Sequence, residues 1–339
     1  MAGRLIKRLV KIVGYGLLVL ILLLAGAIHF TIGWRPIFGA KVRALTDKKI
    51  EATPERLERG RYLAEGVMGC FDCHSKVDDK APAGAAPAII SKKGEGRVFL
   101  EEGGLRVVAP NITPDRETGI GNWSDDAVAR AVREGIGDDG RTLFPIMPYQ
   151  FFRRMSDEDL ASVIAYVRSV EPARSSLPKT QIPFPLSRLV NNFPEPITEP
   201  VAQPDLSTPV KRGEYLTAIG ACADCHTPTN KGRPIAGLEY AGGSVYGDVA
   251  SVNITPDASG ISYYDEALFL EAIRTGHVKG RALKQPMPWW VYRNMTDEDL
   301  KAVFAFLRTL KPVRHRVDNT VPPTQCKLCG QKHGLGDQN

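Results

Sequence analysis

Cys70-Phe71-Asp72-Cys73-His74 and Cys222-Ala223-Asp224-Cys225-His226 are two copies of one pattern. Two thiols at this spacing reach the two vinyl groups of one porphyrin, and the next side chain, an imidazole, reaches the iron from the same helical turn. Each copy therefore reads as a covalent haem site, with Cys70 and Cys73 holding one haem c, Cys222 and Cys225 a second, and His74 and His226 as iron ligands. A disulfide, a redox dithiol or half of a zinc site shares the cysteine spacing. Recurrence of the whole pattern in matching surroundings favours haem.

The surroundings match because the chain is internally duplicated. Gly60-Arg61-Tyr62-Leu63-Ala64 precedes the first motif and Gly213-Glu214-Tyr215-Leu216-Thr217 the second. Asn111-Ile112-Thr113-Pro114-Asp115 recurs at 253–257, and Met155-Ser156-Asp157-Glu158-Asp159-Leu160 recurs with Thr296 for Ser156 at 295–300. The offset falls from 152 residues at the cysteines to 140 at the later motifs, and most of the surplus lies between His74 and Asn111. There Lys80 to Gly96 has the Ala, Pro, Gly and Lys content of a surface loop, with no chemistry visible in it.

Around these motifs, 339 residues divide into a basic cytoplasmic segment (1–11), a transmembrane anchor (12–33), a first haem domain (54–170), a proline-rich linker (171–209), a second such domain (210–312) and a tail (313–339). The anchor rests on Ile12 to Gly33, a run without Asp, Glu, Lys or Arg that carries one histidine, His29. As a helix this run spans about 33 Å, enough to cross a bilayer core. Arg4, Lys7, Arg8 and Lys11 ahead of it place the N-terminus in the cytoplasm and the domains beyond the anchor in the bacterial periplasm, a single-pass inner-membrane topology. Ala25-Gly26-Ala27 offers a signal-peptide cleavage site, but Ile28, Phe30 and Ile32 carry the apolar run past it and favour an uncleaved anchor. The net charge of +6 is spread without an Arg/Lys stripe interleaved with aromatics, which argues against nucleic-acid binding.

Periodicity makes each domain mainly helical with a small β-hairpin. A first helix runs into the haem motif. The hairpins pair Val98–Leu100 with Leu105–Val108, and Leu238–Tyr240 with Val245–Tyr246. A middle helix starts at Ser124 or Asp265 and ends at Gly135 or Gly276 as left-handed caps. A last helix is capped by Ser156 or Thr296, with Asp159 or Asp299 able to reach back, and buries Leu160, Val163, Ile164 and Val167, or Leu300, Val303, Phe304 and Leu307. Between Glu171 and Pro209 nine prolines end the pattern, while Phe184, Leu186 and Phe193 suggest packing along the domains.

An electron-transfer haem needs a second axial ligand, and six methionines offer themselves. Met1 and Met68 have no counterpart. Met155 and Met295 precede capped helices, where a hydrophobic staple against Leu160 or Leu300 occupies them. Met147 and Met287 lie in Pro145-Ile146-Met147-Pro148 and Pro286-Met287-Pro288, loops stiffened by proline that can hold a thioether against iron. They are the expected ligands. His277, the best competitor, faces Ile136 at the first domain's matching place; His29, His315 and His333 read as solvated or packed histidines, and Trp123, Trp289 and Trp290 as packing aromatics. Cys326-Lys327-Leu328-Cys329-Gly330 lacks the adjacent histidine, so a local disulfide, or a zinc knuckle with His333 and an unidentified fourth ligand, is expected rather than a third haem.

The stretch Asn111 to Asp115, Gly119-Ile120-Gly121, Trp123-Ser124, Arg133 with Gly135, and Asp139-Gly140-Arg141 through Pro145, Met147, Pro148 and Tyr149 resembles the multihaem cytochrome c subunits of membrane-bound alcohol and gluconate dehydrogenases. The similarity covers nearly all of 54–312, more loosely in the second half. It implies cytochrome c folds, His74 with Met147 and His226 with Met287 as axial pairs, and electrons entering from a separate dehydrogenase. The family typically has three such modules, whereas this chain has two and an N-terminal helix. The expected function is an anchored dihaem carrier between a donor dehydrogenase or respiratory complex and a redox acceptor such as an oxidase. A dihaem peroxidase-like enzyme is the alternative, and it needs one iron with an open position.

Overall fold

The computed structural model describes residues 2–339 apart from 79, 83 and 231; Ala83 falls inside the loop expected at 80–96. Helix α1 (Ala2–Thr31) takes in both the basic segment and the apolar run, and its side chains are largely exposed. After a one-turn α2 (Arg35–Phe38) the chain runs extended to α3 (Pro54–Tyr62), where Thr53 caps the backbone N–H of Arg56. The Cys70–Cys73 turn is α4; then come the hairpin of β1 (Arg97–Glu102) and β2 (Leu105–Ala109), the middle helix α5 (Asp125–Glu134), a one-turn α6 (Tyr149–Phe152) and the last helix α7 (Asp157–Ser169). Through the linker runs α8 (Leu186–Leu189). The helical order then repeats: α9 (Pro209–Ile219), α10 (Cys222–His226), α11 (Glu266–Thr275), α12 (Trp289–Tyr292) and α13 (Asp297–Thr309).

Glycine sets the helix crossings. A Cβ on Gly60 would lie 1.9 Å from the Ser162 carbonyl oxygen, and one on Gly213 1.9 Å from that of Ala302. Only glycine lets α3 cross α7, and α9 cross α13, this closely. Beside the crossings, Leu63, Leu160, Val163 and Ile164 of the first half and Leu216, Leu300, Val303 and Phe304 of the second are buried in one continuous apolar core. Gly60 lies ten residues before Cys70, but Gly213 only nine before Cys222. The extra residue is absorbed in a π-helical turn at Leu63–Val67, where the Met68 N–H reaches the Leu63 carbonyl at 2.8 Å. Neither helix runs unbroken into its motif: left-handed Gly69 (φ 63°) and Ala221 (φ 55°) intervene and re-aim the cysteine turn. Ala221 bears this strain with a Cβ.

The two halves pack reciprocally. The Tyr215 hydroxyl donates to Asp159 Oδ2 at 2.7 Å and accepts from the Ser156 N–H at 3.2 Å. Tyr62 does the same across the interface, donating to Asp299 and accepting from the Thr296 N–H at 3.3 Å. The expected return of Asp159 and Asp299 to their own N-caps does not form. A tyrosine from the other half takes the N-cap N–H, and the carboxylates turn instead to Arg59 (2.8 Å) and Arg212 (3.4 Å). Ser156 and Thr296 still cap, each accepting from the N–H three residues on at 3.1 Å.

Two other expectations give way. Val245–Tyr246 (β5) pairs with Val249–Ala250 (β6) across Gly247-Asp248, a two-residue turn with Gly247 at φ 61°, rather than with 238–240. The upstream stretch turns back on itself because Gly242 and Gly243, at φ 73° and 96°, cannot continue a strand. In the linker, Phe184 is 82% exposed and does not pack along the domains, whereas Leu186 and Phe193 are half-buried, Phe193 beside Gly232, and Val190 and Ala173, each 2% exposed, are buried with them. Two-residue strand pairs β3 (Thr229–Asn230) with β4 (Arg233–Pro234) and β7 (His277–Val278) with β8 (Arg281–Ala282), and a final hairpin of β9 (Pro323–Gln325) and β10 (Lys332–Gly334), complete the described strands.

Replacing Tyr215 by Phe leaves Asp159 and the Ser156 N–H each one partner short inside the interface. We expect a loss of about 1–3 kcal/mol, measured by denaturant unfolding of the haem-loaded protein, and a similar loss for Tyr62→Phe.

Candidate haem sites

The α4 turn carries Cys70, Cys73 and His74, and α10 carries Cys222, Cys225 and His226. Both histidines are 8% exposed. His74 Nδ1 lies 2.7 Å from the Pro110 carbonyl oxygen, and His226 Nδ1 lies 2.7 Å from that of Val252. A carbonyl can only accept, so each Nδ1 carries the proton and Nε2 presents its lone pair, the form a metal-ligating histidine takes. Burial pushes both imidazoles below their ordinary pKa, against the carbonyl hydrogen bonds, and keeps them neutral at pH 7. Burial also raises the Cys70, Cys73 and Cys222 thiols to about 12 and lifts that of Cys225. A redox dithiol needs a lowered thiol pKa, so this environment does not suit one.

The accepting carbonyls identify residues that sequence reasoning passed over. Pro110 and Val252 each stand immediately before the repeated Asn-Ile-Thr-Pro-Asp stretch. Its asparagine is buried and braces the turn: Asn111 Nδ2 donates to the Ala173 carbonyl at 2.6 Å while its Oδ1 accepts from the Thr113 N–H at 2.9 Å. Asn253 repeats this with Val313 at 2.7 Å and Thr255 at 2.9 Å. On the other side, the His74 carbonyl accepts from Gly96 N–H at 2.8 Å and the His226 carbonyl from Gly242 N–H at 2.7 Å. Both glycines have positive φ, and a Cβ on either would strike backbone within 2.6 Å. The recurrence of the Asn-Ile-Thr-Pro-Asp stretch was the signal in the sequence; its purpose needed the fold.

Met147 and Met287 sit in matching half-buried turns. The Met147 N–H bonds the Phe144 carbonyl and its own carbonyl accepts from Tyr149; Met287 does the same with Lys284 and Trp289. The aromatic two residues after each methionine lies under a left-handed cap: a Cβ on Gly135 would come 2.4 Å from Tyr149, and one on Gly276 2.3 Å from Trp289. Trp289 is thus a packing residue. Met155 and Met295, at 0% and 5% exposure, are core. His277 turns Nδ1 to the Thr275 carbonyl at 2.9 Å, and its ring lies against Gly84 of the 80–96 loop, which thereby bridges the two halves. His315 and His333 are not solvated: they are 0% and 2% exposed, and both lie beside Cys326 and Cys329.

Two buried, carbonyl-oriented imidazoles, each directly after a cysteine pair, fit haem c. The family pattern described as cytochrome c matches residues 57–171 and 210–311. The chain belongs to the cytochrome c family. This cytochrome is 30% identical to the fructose dehydrogenase cytochrome subunit of Gluconobacter japonicus over 297 residues, 84% of this chain and 58% of the relative. It is 30% identical to the gluconate 2-dehydrogenase cytochrome c subunit of Pantoea cypripedii, over 77% of this chain and 60% of the relative. A diheme cytochrome c-type protein of Cereibacter sphaeroides is 28% identical over 72% of this chain and 83% of its own length. The chain therefore spans little more than half the length of the dehydrogenase subunits it matches, but most of the diheme protein. Membership of this family assigns haem c and electron transfer.

Asn111→Ala and Asn253→Ala each leave the Thr113 or Thr255 N–H unpaired behind the histidine's acceptor, and leave the Ala173 or Val313 carbonyl with only the long 3.4 Å bond from the threonine hydroxyl. About 2–4 kcal/mol of stability should be lost in each variant, read from guanidinium unfolding followed at the haem absorbance, with haem still covalently attached.

Proposed function

We propose that this chain is a membrane-anchored dihaem cytochrome c, with tandem modules at 54–170 and 210–312, that carries electrons from a periplasmic or membrane dehydrogenase to a redox acceptor. The observation that carries the reading is the duplicated histidine, held twice at 2.7 Å to a carbonyl in front of the same motif. In this reading Cys70, Cys73, Cys222 and Cys225 form the thioether links, and the axial pairs are His74 with Met147 and His226 with Met287. Haem c, when bound, supplies the one-electron centre. The chain holds a neutral imidazole and a thioether toward it, a pair that favours the ferrous state relative to two histidines. It also excludes water and sets the spacing of the modules. Without haem each module loses the centre of its packing, so a poorly folded apoprotein is expected.

Passage between modules is supported by how the motifs meet. Trp290 Nε1 donates to Asp72 Oδ1, inside the first cysteine pair, at 2.7 Å. Half-buried Tyr292 donates to the Gly220 carbonyl at 2.8 Å, and its phenol is raised well above its usual pKa by desolvation first and then by the nearby Asp72 and Asp224 carboxylates. Residues of both haem motifs thus lie beside one short helix, α12.

The anchor is supported by α1, long and apolar enough to cross a membrane. Its basic N-terminal residues favour a cytoplasmic start and periplasmic modules. Where it ends, Asn192 Nδ2 donates to the Ile32 carbonyl at 3.0 Å and Arg35 pairs with Glu195 at 2.5 Å, tying the linker to the helix. Phe38 and Phe184, 80% and 82% exposed on these two segments, suit the bilayer interface. A dehydrogenase as donor is supported by the names of the relatives.

In the haem-loaded protein, Met147→Ala and Met287→Ala should each remove part of the weak near-infrared methionine-to-ferric-iron band, and full coordination should block rapid peroxide turnover in the wild type. A variant that leaves the band unchanged would mean another ligand or an open iron, and would bring the peroxidase-like reading forward.

A further inference from the structure

Haem chemistry leaves Cys326-Lys327-Leu328-Cys329 without a role, and the fold gives it one. His315, on the irregular segment leaving α13, and His333, on β10, converge on the two cysteines at the turn between β9 and β10. The four donor atoms lie within 4.8 Å of one another, and the residues are 0%, 1%, 3% and 2% exposed for His315, Cys326, Cys329 and His333. His315 Nε2 lies 3.4 Å from Cys326 Sγ, and His333 Nε2 lies 3.4 Å from Cys329 Sγ. Zinc–sulfur and zinc–nitrogen bonds of about 2.3 and 2.0–2.1 Å at a tetrahedral angle separate their donors by about 3.5 Å.

The shell around the donors suits the same purpose. His315 Nδ1 donates to the Ala241 carbonyl at 3.0 Å and His333 Nδ1 to the Gly334 carbonyl at 3.1 Å, so both rings turn Nε2 toward the sulfurs. Gly243, at φ 96°, leaves the space that His315 fills, since a Cβ there would come 2.5 Å from the ring. The Cys326 N–H bonds the Gln331 carbonyl at 2.9 Å and Gly330 turns at φ 72°, closing the cysteine loop. Leu238, Ala241, Ile235 and Val313 wall the cluster off from water. A Cys326–Cys329 disulfide would strand two buried imidazole nitrogens facing sulfurs that offer no proton. Haem would not fit among donors this close, and His333 follows Cys329 by four residues rather than one.

We propose that His315, Cys326, Cys329 and His333 bind one Zn²⁺ in a closed, tetrahedral, structural site. Binding releases the two thiol protons, and the two thiolates neutralise the ion's charge, which suits a buried site. The cluster supplies the fourth ligand that the knuckle lacked in sequence. It pins the tail to the second module just behind His226: the Ala241 carbonyl that orients His315 adjoins the Gly242 N–H that holds the His226 carbonyl at 2.7 Å. The metal thus braces the second haem site and leaves the first untouched.

The test uses the full-length haem-loaded chain isolated without chelator, with zinc counted by elemental analysis and its shell read by zinc-edge X-ray absorption. One zinc per chain with two sulfur and two nitrogen neighbours is expected, and none in Cys326→Ser/Cys329→Ser or His315→Ala. Those variants should keep covalent haem, while amide exchange speeds up around 238–254 and stays unchanged in 57–171. A Cys326–Cys329 disulfide in freshly isolated protein would overturn the proposal. So would failure of the reduced wild type to take up stoichiometric zinc, or zinc retained by the cysteine variant.

Discussion

In each half of the molecule an imidazole proton is fixed on a backbone carbonyl, and most of the surrounding sequence serves to keep that carbonyl in place. Pro110 and Val252 supply the oxygens, Asn111 and Asn253 brace the turns that hold them, and Gly96 and Gly242 close over the histidine's own carbonyl. Burial keeps the ring neutral and the hydrogen bond selects the tautomer, so Nε2 is the nitrogen left with a free lone pair before any cofactor is considered. The helix crossings at Gly60 and Gly213 then set the floor on which the cysteine turn rests.

Duplication also made the interface. Tyr62 and Tyr215, equivalent residues of the two halves, each reach across to the N-terminus of the other's last helix, so one sequence feature yields two mutual contacts. The halves diverged where that symmetry did not constrain them. One residue was accommodated as a π turn before Cys70, a longer loop after His74 came to rest on His277, and the tail after α13 acquired its own cysteines. That tail folds back onto the second half, where the Asn319 side chain bonds both the N–H and the carbonyl of Ala250 at 2.8 Å.

What the sequence made legible was local. Cap residues Ser124, Ser156, Asp265 and Thr296, the left-handed Gly135 and Gly276, and the apolar faces of the last helices derive from spacing and stereochemistry, and the structure has them. What it hid was non-local. Asp159 and Asp299 fit a capping box by spacing, but a tyrosine from the other half of the chain outcompetes them for the cap N–H. Phe184 is apolar and yet exposed, and the strand partner of Val245–Tyr246 was decided by a Gly-Asp turn downstream rather than by apolar pattern upstream. His315 lies eleven residues before Cys326, outside any spacing rule, and only the fold brings it to the cysteines.

If the two repeated motifs, and they alone, hold two covalent haems, proteolysis of the mature, haem-loaded protein followed by peptide mass spectrometry will find them there. One haem is expected on the peptide bearing Cys70 and Cys73, one on the peptide bearing Cys222 and Cys225, and unmodified thiols at Cys326 and Cys329. A single haem per chain, or haem on the tail cysteines, would refute this assignment.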